Sequence, residues 1–270
     1  MSNTQNVTRA GDAVRQWIVV VSLVAAVVGS FIGSGALGGT PITEAAGGAL
    51  SSDATPIAPA GPAFSIWSVI YLGLAAYTAW QVLPSHRHDA RQRRLGYPMV
   101  ASLLLNAAWI LSVQAGWLVA SVVVIVALLA VLGYAFRLCM MTRPSSTIEA
   151  IVVDGVVGLY LGWVTIASAA NITAALKSGG FEGWGLGADV WAVIVLAVAG
   201  AVGVAVAVAG RGRLAPTASL CWGLAWVGVA RLSGEPHSVA AAATAFVAVA
   251  VVIIVTILYR VRTPRRTGQG

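Results

Sequence analysis

Eight apolar stretches, each about long enough to cross a bilayer as a helix, leave this 270-residue chain few alternatives. They are residues 17–35, 64–83, 97–115, 117–138, 149–175, 190–210, 214–232 and 239–259. With 59% hydrophobic and 9% charged residues, there is too little polar surface to coat a water-soluble globule. In lipid every backbone N–H and C=O must be satisfied within the segment, so the stretches are helices. The third and fourth are separated only by "QAGW" and form a hairpin. The seventh is the least hydrophobic, and losing it would break the alternation of sides.

A net charge of +7 could suggest nucleic acid, but its placement argues for topology. Tracing eight spans puts Arg9 and Arg15, the group Arg87, Arg91, Arg93 and Arg94, then Arg137, Arg143, Arg211 and Arg213, and Arg260, Arg262, Arg265 and Arg266 on one side. Only Lys177 and Arg231 fall on the other. The positive-inside rule then places both termini in the cytoplasm, with a bacterial plasma membrane as the expected location and no nucleic-acid partner. The first stretch is longer than a signal-peptide core and is read as a retained helix whose Gly29 and Gly33 suit close packing. Cys139 and Cys221 lie in or beside spans and offer neither a disulfide framework nor a metal or redox pair.

The longest connection, 36–61, is rich in small residues and proline, carries Glu44 and Asp53 and no cation, and lies outside; residues 38–61 are read as a loop or lid. "PSHRHDARQRR" is a solvated cytoplasmic turn, and its two histidines read as surface residues, without the carboxylate or cysteine pattern of a metal site. The expected organisation is a cytoplasmic tail 1–16, a five-helix unit 17–176, a linker 177–189, a three-helix addition 190–260 and a basic tail 261–270.

Trp17, Trp80, Trp117, Trp184 and Trp191 sit at span ends, where indoles anchor to the interface. Trp222 and Trp226, i and i+4 in the weak seventh span, read as packing between helices. The interior set is different. The second span enters from outside, with Phe64, Trp67 and Tyr71 on one face near that end. The third leaves towards outside, with Asn106 and Trp109 one turn apart; the fifth does likewise, with Trp163 and Asn171. Three helices thus bring aromatic and amide groups to the outer half of the membrane beneath the long loop. Asparagines in hydrocarbon need partners, so Asn106 and Asn171 should face inward. Gly155, Gly158 and Gly162 form a stripe without side chains, which either admits another backbone or leaves a gap beside Trp163.

"PAFSIWSVIY", "LLLNAAW" and "YLGWVTIASAAN", in that order, resemble the TspO/MBR family of tryptophan-rich sensory or translocator proteins. Trp67 and Tyr71 match its second-helix pattern, Asn106 and Trp109 its N-x-x-W, and Tyr160, Trp163 and Asn171 its fifth-helix pattern. The resemblance covers roughly residues 17–175. Leu159 stands where the family usually has proline and Ser121 where an acidic residue is expected, and the last three spans have no assigned counterpart.

The resemblance implies a TspO-like five-helix bundle; with the eight spans counted, the expected fold is an all-α integral membrane protein, that bundle plus three additional transmembrane helices. The resemblance also implies an interhelical pocket, covered by the first loop, that binds porphyrins and other flat apolar molecules. Phe64, Trp67, Tyr71, Asn106, Trp109, Tyr160, Trp163 and Asn171 are the candidate ligand-binding residues. No cofactor is required; a porphyrin would be a ligand, and His86, His88 and His237 all lie in loops, away from any axial position at pocket depth.

A receptor, sensor or carrier is therefore the leading expectation, in a lipid bilayer and with a homodimer as one candidate assembly. A secondary transporter working past Asp154 is the alternative, and photochemical porphyrin breakdown is a third; without a nucleophile, base and orienter set, an enzyme is the less favoured reading. Asp154 needs a partner, with Arg137 and Arg143 expected. Arg231 and Glu235, i and i+4, would pair if helix persists that far. Lys177, the only lysine, is placed in an outer loop, which excludes a buried Schiff base.

Overall fold

The computed structural model describes residues 2–33, 35, 38 and 40–262, with side chains from residue 11 onward. The side chain of Arg9 and residues 263–270, with Arg265 and Arg266, lie outside the described residues. The protein is an all-α integral membrane protein, with no strand among the described residues. Its long helices are α1 (Ser2–Gly33), α2 (Ile66–Val82), α3 (Ala90–Gln114), α4 (Leu118–Met141), α5 (Val156–Ser178), α6 (Ala188–Ala209), α7 (Leu214–Ser233) and α8 (Val239–Arg262). Seven helices among the described residues are long and apolar enough to cross a membrane. The exception is α7, as its Pro, Ser, Thr and Arg content foreshadows, yet it too runs the length of the bundle. Arg213, just before α7, bonds Asp154 at one end of the bundle, and Arg231 in its last turn bonds the 52–55 loop at the other.

The order of packing departs from the order of the chain. Helix α1 lies along α3, α3 along α4 and α4 along α5, with α2 held between α1 and α5. The next helix against α5 is α7; α8 covers α7, and α6 lies outermost on α8. Glycines explain two of the close seams. Gly29 of α1 meets Ala107 of α3, and a Cβ at Gly33 would lie 2.7 Å from Ile110. On α5, a Cβ at Gly158 would lie 2.8 Å from Pro216, and one at Gly162 would overlap the Pro216 carbonyl and the Ser219 hydroxyl. The glycine stripe therefore admits the α7 backbone, the first of the two roles expected for it. Between α3 and α4, Gly116 turns the hairpin at φ +74°, a left-handed conformation suited to glycine.

Helix α1 starts at Ser2, well before the apolar stretch, and its first half joins the basic end. There Arg15 donates to the Arg87 carbonyl at 2.9 Å and Asp12 pairs with Arg93 at 2.5 Å and His88 at 2.8 Å. The opposite end carries the long connection, which contains a short helical turn (Ala45–Gly48) and enters α2 through a 3-10 turn (Gly61–Ser65). Phe64 thus sits in that 3-10 turn rather than in the helix itself. Lys177 belongs to the last turn of α5, not to a loop, because the helix runs to Ser178.

Entry into α5 is irregular. Ser146 caps a short turn (Thr147–Glu149), and Ala150–Gly155 forms a π-helical turn carrying Asp154. Asp154 does not pair with Arg137 or Arg143. Its carboxylate is held by Arg91 of α3 and, at 2.6 Å, by Arg213, while Glu149 takes Arg91 at 2.8 Å and Gln92 at 3.2 Å. The extra residue of a π turn re-aims side chains towards a neighbour, and here α3 and the α6–α7 turn supply the cations. Two cations and two carboxylates balance, which makes the burial of Arg91, Glu149 and Asp154 tolerable.

Candidate functional site: an aromatic cluster beneath a fastened loop

Trp67 lies at the centre of the rings. Its indole is 6.4 Å from Trp109, nearly parallel at 26°, and 6.0 and 6.1 Å from Tyr160 and Trp163 in edge-to-face contact. Tyr71 is 5.7 Å away, and Phe64 meets Trp163 edge-on at 5.9 Å. Such pairs add about 0.5–1.5 kcal/mol each beyond the area they bury. Helical spacing puts Trp67 and Tyr71 one turn apart on α2, and α3 and α5 present their rings at the same depth.

The amides tie this cluster to five helices. Asn106 donates to the Tyr71 hydroxyl at 2.6 Å, and Tyr71 donates to the Ala26 carbonyl of α1 at 3.3 Å. Trp109 Nε1 donates to Asn171 Oδ1 at 2.6 Å. The Asn171 amide nitrogen donates to Ser121 Oγ at 2.9 Å. Ser121, which stands where an acidic residue is expected from the family pattern, thus orients Asn171 without adding charge. All eight candidate residues are brought together. Two buried polar atoms among them, Trp163 Nε1 and Asn106 Oδ1, have no hydrogen-bond partner among the described residues.

Between the rings and the loop lies a cavity of about 40 Å³, walled by Phe64, Trp67, Trp109 and Trp163, floored by Ile166, Ala170 and Asn171, and roofed by Leu50, Thr55 and Pro59. That is room for about one water, far below the roughly 300–1,000 Å³ of small-molecule sites. The expected convergence of rings is present, but the space between them is closed.

The roof is fastened largely by α7. Trp222 Nε1 donates to the Ala63 carbonyl at 2.9 Å, and the Ala60 N–H donates to the Trp226 carbonyl at 3.2 Å. Arg231, 1% exposed, donates to the carbonyls of Thr55 (3.1 Å), Ser52 (2.5 Å) and Pro236 (3.1 Å). It makes no ion pair with Glu235, because α7 ends at Ser233 and the Glu235 carboxylate accepts from the His237 N–H. Lys177 donates to the Ala54 carbonyl at 2.6 Å, and Gln114 exchanges hydrogen bonds with the backbone of Thr40. Within the loop, the Ser51 hydroxyl bonded to Asp53 holds that carboxyl below its usual range, helped by the Asp53 backbone N–H.

Trp222, Trp226, Arg231 and Gln114 were not among the expected site residues. The i, i+4 indoles of α7 were a visible signal, but nothing in the chain order tells that α7, rather than α6, would reach the loop.

A family model described as TSPO-like protein matches residues 16–259. The match continues beyond residue 175, where the motif resemblance stopped, and runs through α6, α7 and most of α8. No curated protein and no solved structure matches the chain.

Proposed function

The chain belongs to the TSPO-like protein family, and on that premise we propose that it is a membrane sensor or carrier for a flat apolar ligand of porphyrin type, bound against the Trp67–Trp109–Trp163 wall. The observation that carries this reading is the aromatic cluster lying beneath a loop anchored by replaceable hydrogen bonds. Conjugated macrocycles stack on indole faces, and Trp163, which lines the cavity, leaves its Nε1–H as a donor for the ligand's polar edge. With about 40 Å³ between the rings, the ligand enters only when residues 49–60 lift. Binding is therefore gated by the bonds from α7, which acts as the latch of the lid. The arginine-rich end faces the cytoplasm, and the lid faces outward.

The transporter reading is weaker because the buried carboxylates at the entry to α5 are committed, Asp154 to Arg91 and Arg213 and Glu149 to Arg91. A proton-coupled cycle would have to break these pairs.

Protoporphyrin titrated into detergent-purified protein tests the proposal through tryptophan quenching. Saturable quenching is expected, with affinity lowered about tenfold or more in a Trp67→Ala, Trp163→Ala double variant. Unchanged affinity in a variant that retains its helical circular dichroism would remove the cluster from the site.

A further inference from the structure

On the far side of α5 from the aromatic cluster lies a much larger space. It is a groove of about 520 Å³ between α4, α5 and α6, capped by residues 55–57 of the loop. It exists because α6 packs on α8 and leaves α5 to α7, so the α5–α6 seam is not filled by protein.

Along α5 the lining runs from Thr165 to Lys177, roughly 18 Å at the helical rise. The roughly 30 Å hydrocarbon core gives each leaflet about half of that, so the groove is about one leaflet deep. The deep hydroxyls need no partner from a ligand: Thr165 and Ser168 donate to their own helix at 2.9 and 2.7 Å. Between them and the mouth, Thr173 is the one further hydroxyl on α5, and α4 and α6 line the depth with Leu129, Ala192, Ile194, Val195, Val198, Ala199 and Val202.

The mouth differs in kind. Lys177 and Glu182 both line it, and among the described residues no salt bridge joins them. The ammonium of Lys177 spends one donor on the Ala54 carbonyl and has two left. Phe181, Trp184 and Trp191 pack edge-to-face around the same end, with Trp184 85% exposed, which sets the mouth at headgroup level.

We propose that the groove is a lipid site that takes one acyl chain of a zwitterionic, amine-bearing phospholipid, with Lys177 on the phosphate and Glu182 on the ammonium. The paired opposite charges at the mouth select this headgroup over a purely anionic one. The second chain of the lipid stays in the bilayer, to which the groove is open.

Native mass spectrometry of the full chain, released from mild detergent after incubation with phosphatidylethanolamine, phosphatidylglycerol or oleate, tests this. One phosphatidylethanolamine per chain should be retained in preference to the other two. Ala169→Phe, which fills the groove from α5, should cut retention about tenfold, and Lys177→Gln should lower it several-fold. Val195→Phe fills the groove from α6 and serves if the first variant does not fold. Porphyrin quenching should be unaltered in the filled variants, so this site and the aromatic one fail separately. Equal retention of all three amphiphiles, preference for phosphatidylglycerol or oleate, or full retention in a folded filled variant would each overturn the assignment.

Discussion

Asn171 shows how much one amide carries. Its carbonyl accepts from Trp109 and its nitrogen donates to Ser121, joining α3, α4 and α5 at the cluster. Asn171→Leu leaves the buried indole N–H of Trp109 without an acceptor, so a loss of about 1–3 kcal/mol is expected, read as a lowered unfolding temperature in detergent. Asp154→Asn should cost more, about 3–5 kcal/mol by the same measurement, because it removes the carboxylate shared by Arg91 and Arg213. Gly162→Ala tests the α5–α7 seam. The new methyl overlaps the α7 backbone, which cannot retreat while Pro216 packs against Gly158, so a loss of about 1–3 kcal/mol is expected.

At the scale of elements, the loop and α7 form one device. Arg231→Met keeps the bulk and removes the donors to Thr55 and Ser52. Faster protoporphyrin quenching in stopped flow is the expected outcome; an unchanged rate would mean that the lid opens elsewhere. The Ser51–Asp53 turn adds a small pH term. Because the Asp53 carboxyl is held below its usual value, its contribution is present above the ordinary carboxylate range and is lost as pH falls through the lowered value. Asp53 is exposed, so Asp53→Asn should reproduce the acid effect on quenching kinetics with little change in thermal stability. Element by element, the spans were legible because hydrophobic length is a local property, and even the weakness of α7 showed in its composition. The partners of Asp154 and Arg231 were not. Nearest cations in the chain, Arg137 and Arg143, lost to Arg91 and Arg213, which are remote in sequence and reach Asp154 only once α3 has packed on α4 and α7 on α5.

At the scale of the whole molecule, the α6–α8 group does two things that chain order does not announce. It lends α7 to the five-helix unit as a wall and a latch, and by displacing α6 outward it opens the lipid-facing groove. Ending the chain after residue 187 removes α7 from the glycine stripe and the lid together. Such a truncation should expose the α5 seam and give a protein that inserts but aggregates on detergent extraction, measurable by size-exclusion chromatography.

Sequence alone determined that this is a helical membrane protein, that its cations gather at one end, and which aromatic and amide side chains share the other. Each follows from interactions that act within a span: hydrophobic length, charge next to lipid headgroups, and the 3.6-residue repeat. Only the tertiary structure decided that the rings meet with almost no space between them, that α7 and not α6 fastens the loop, and which arginines satisfy the buried carboxylates. Those outcomes depend on how closely helices approach, and that is set by glycine contacts between segments distant in the chain.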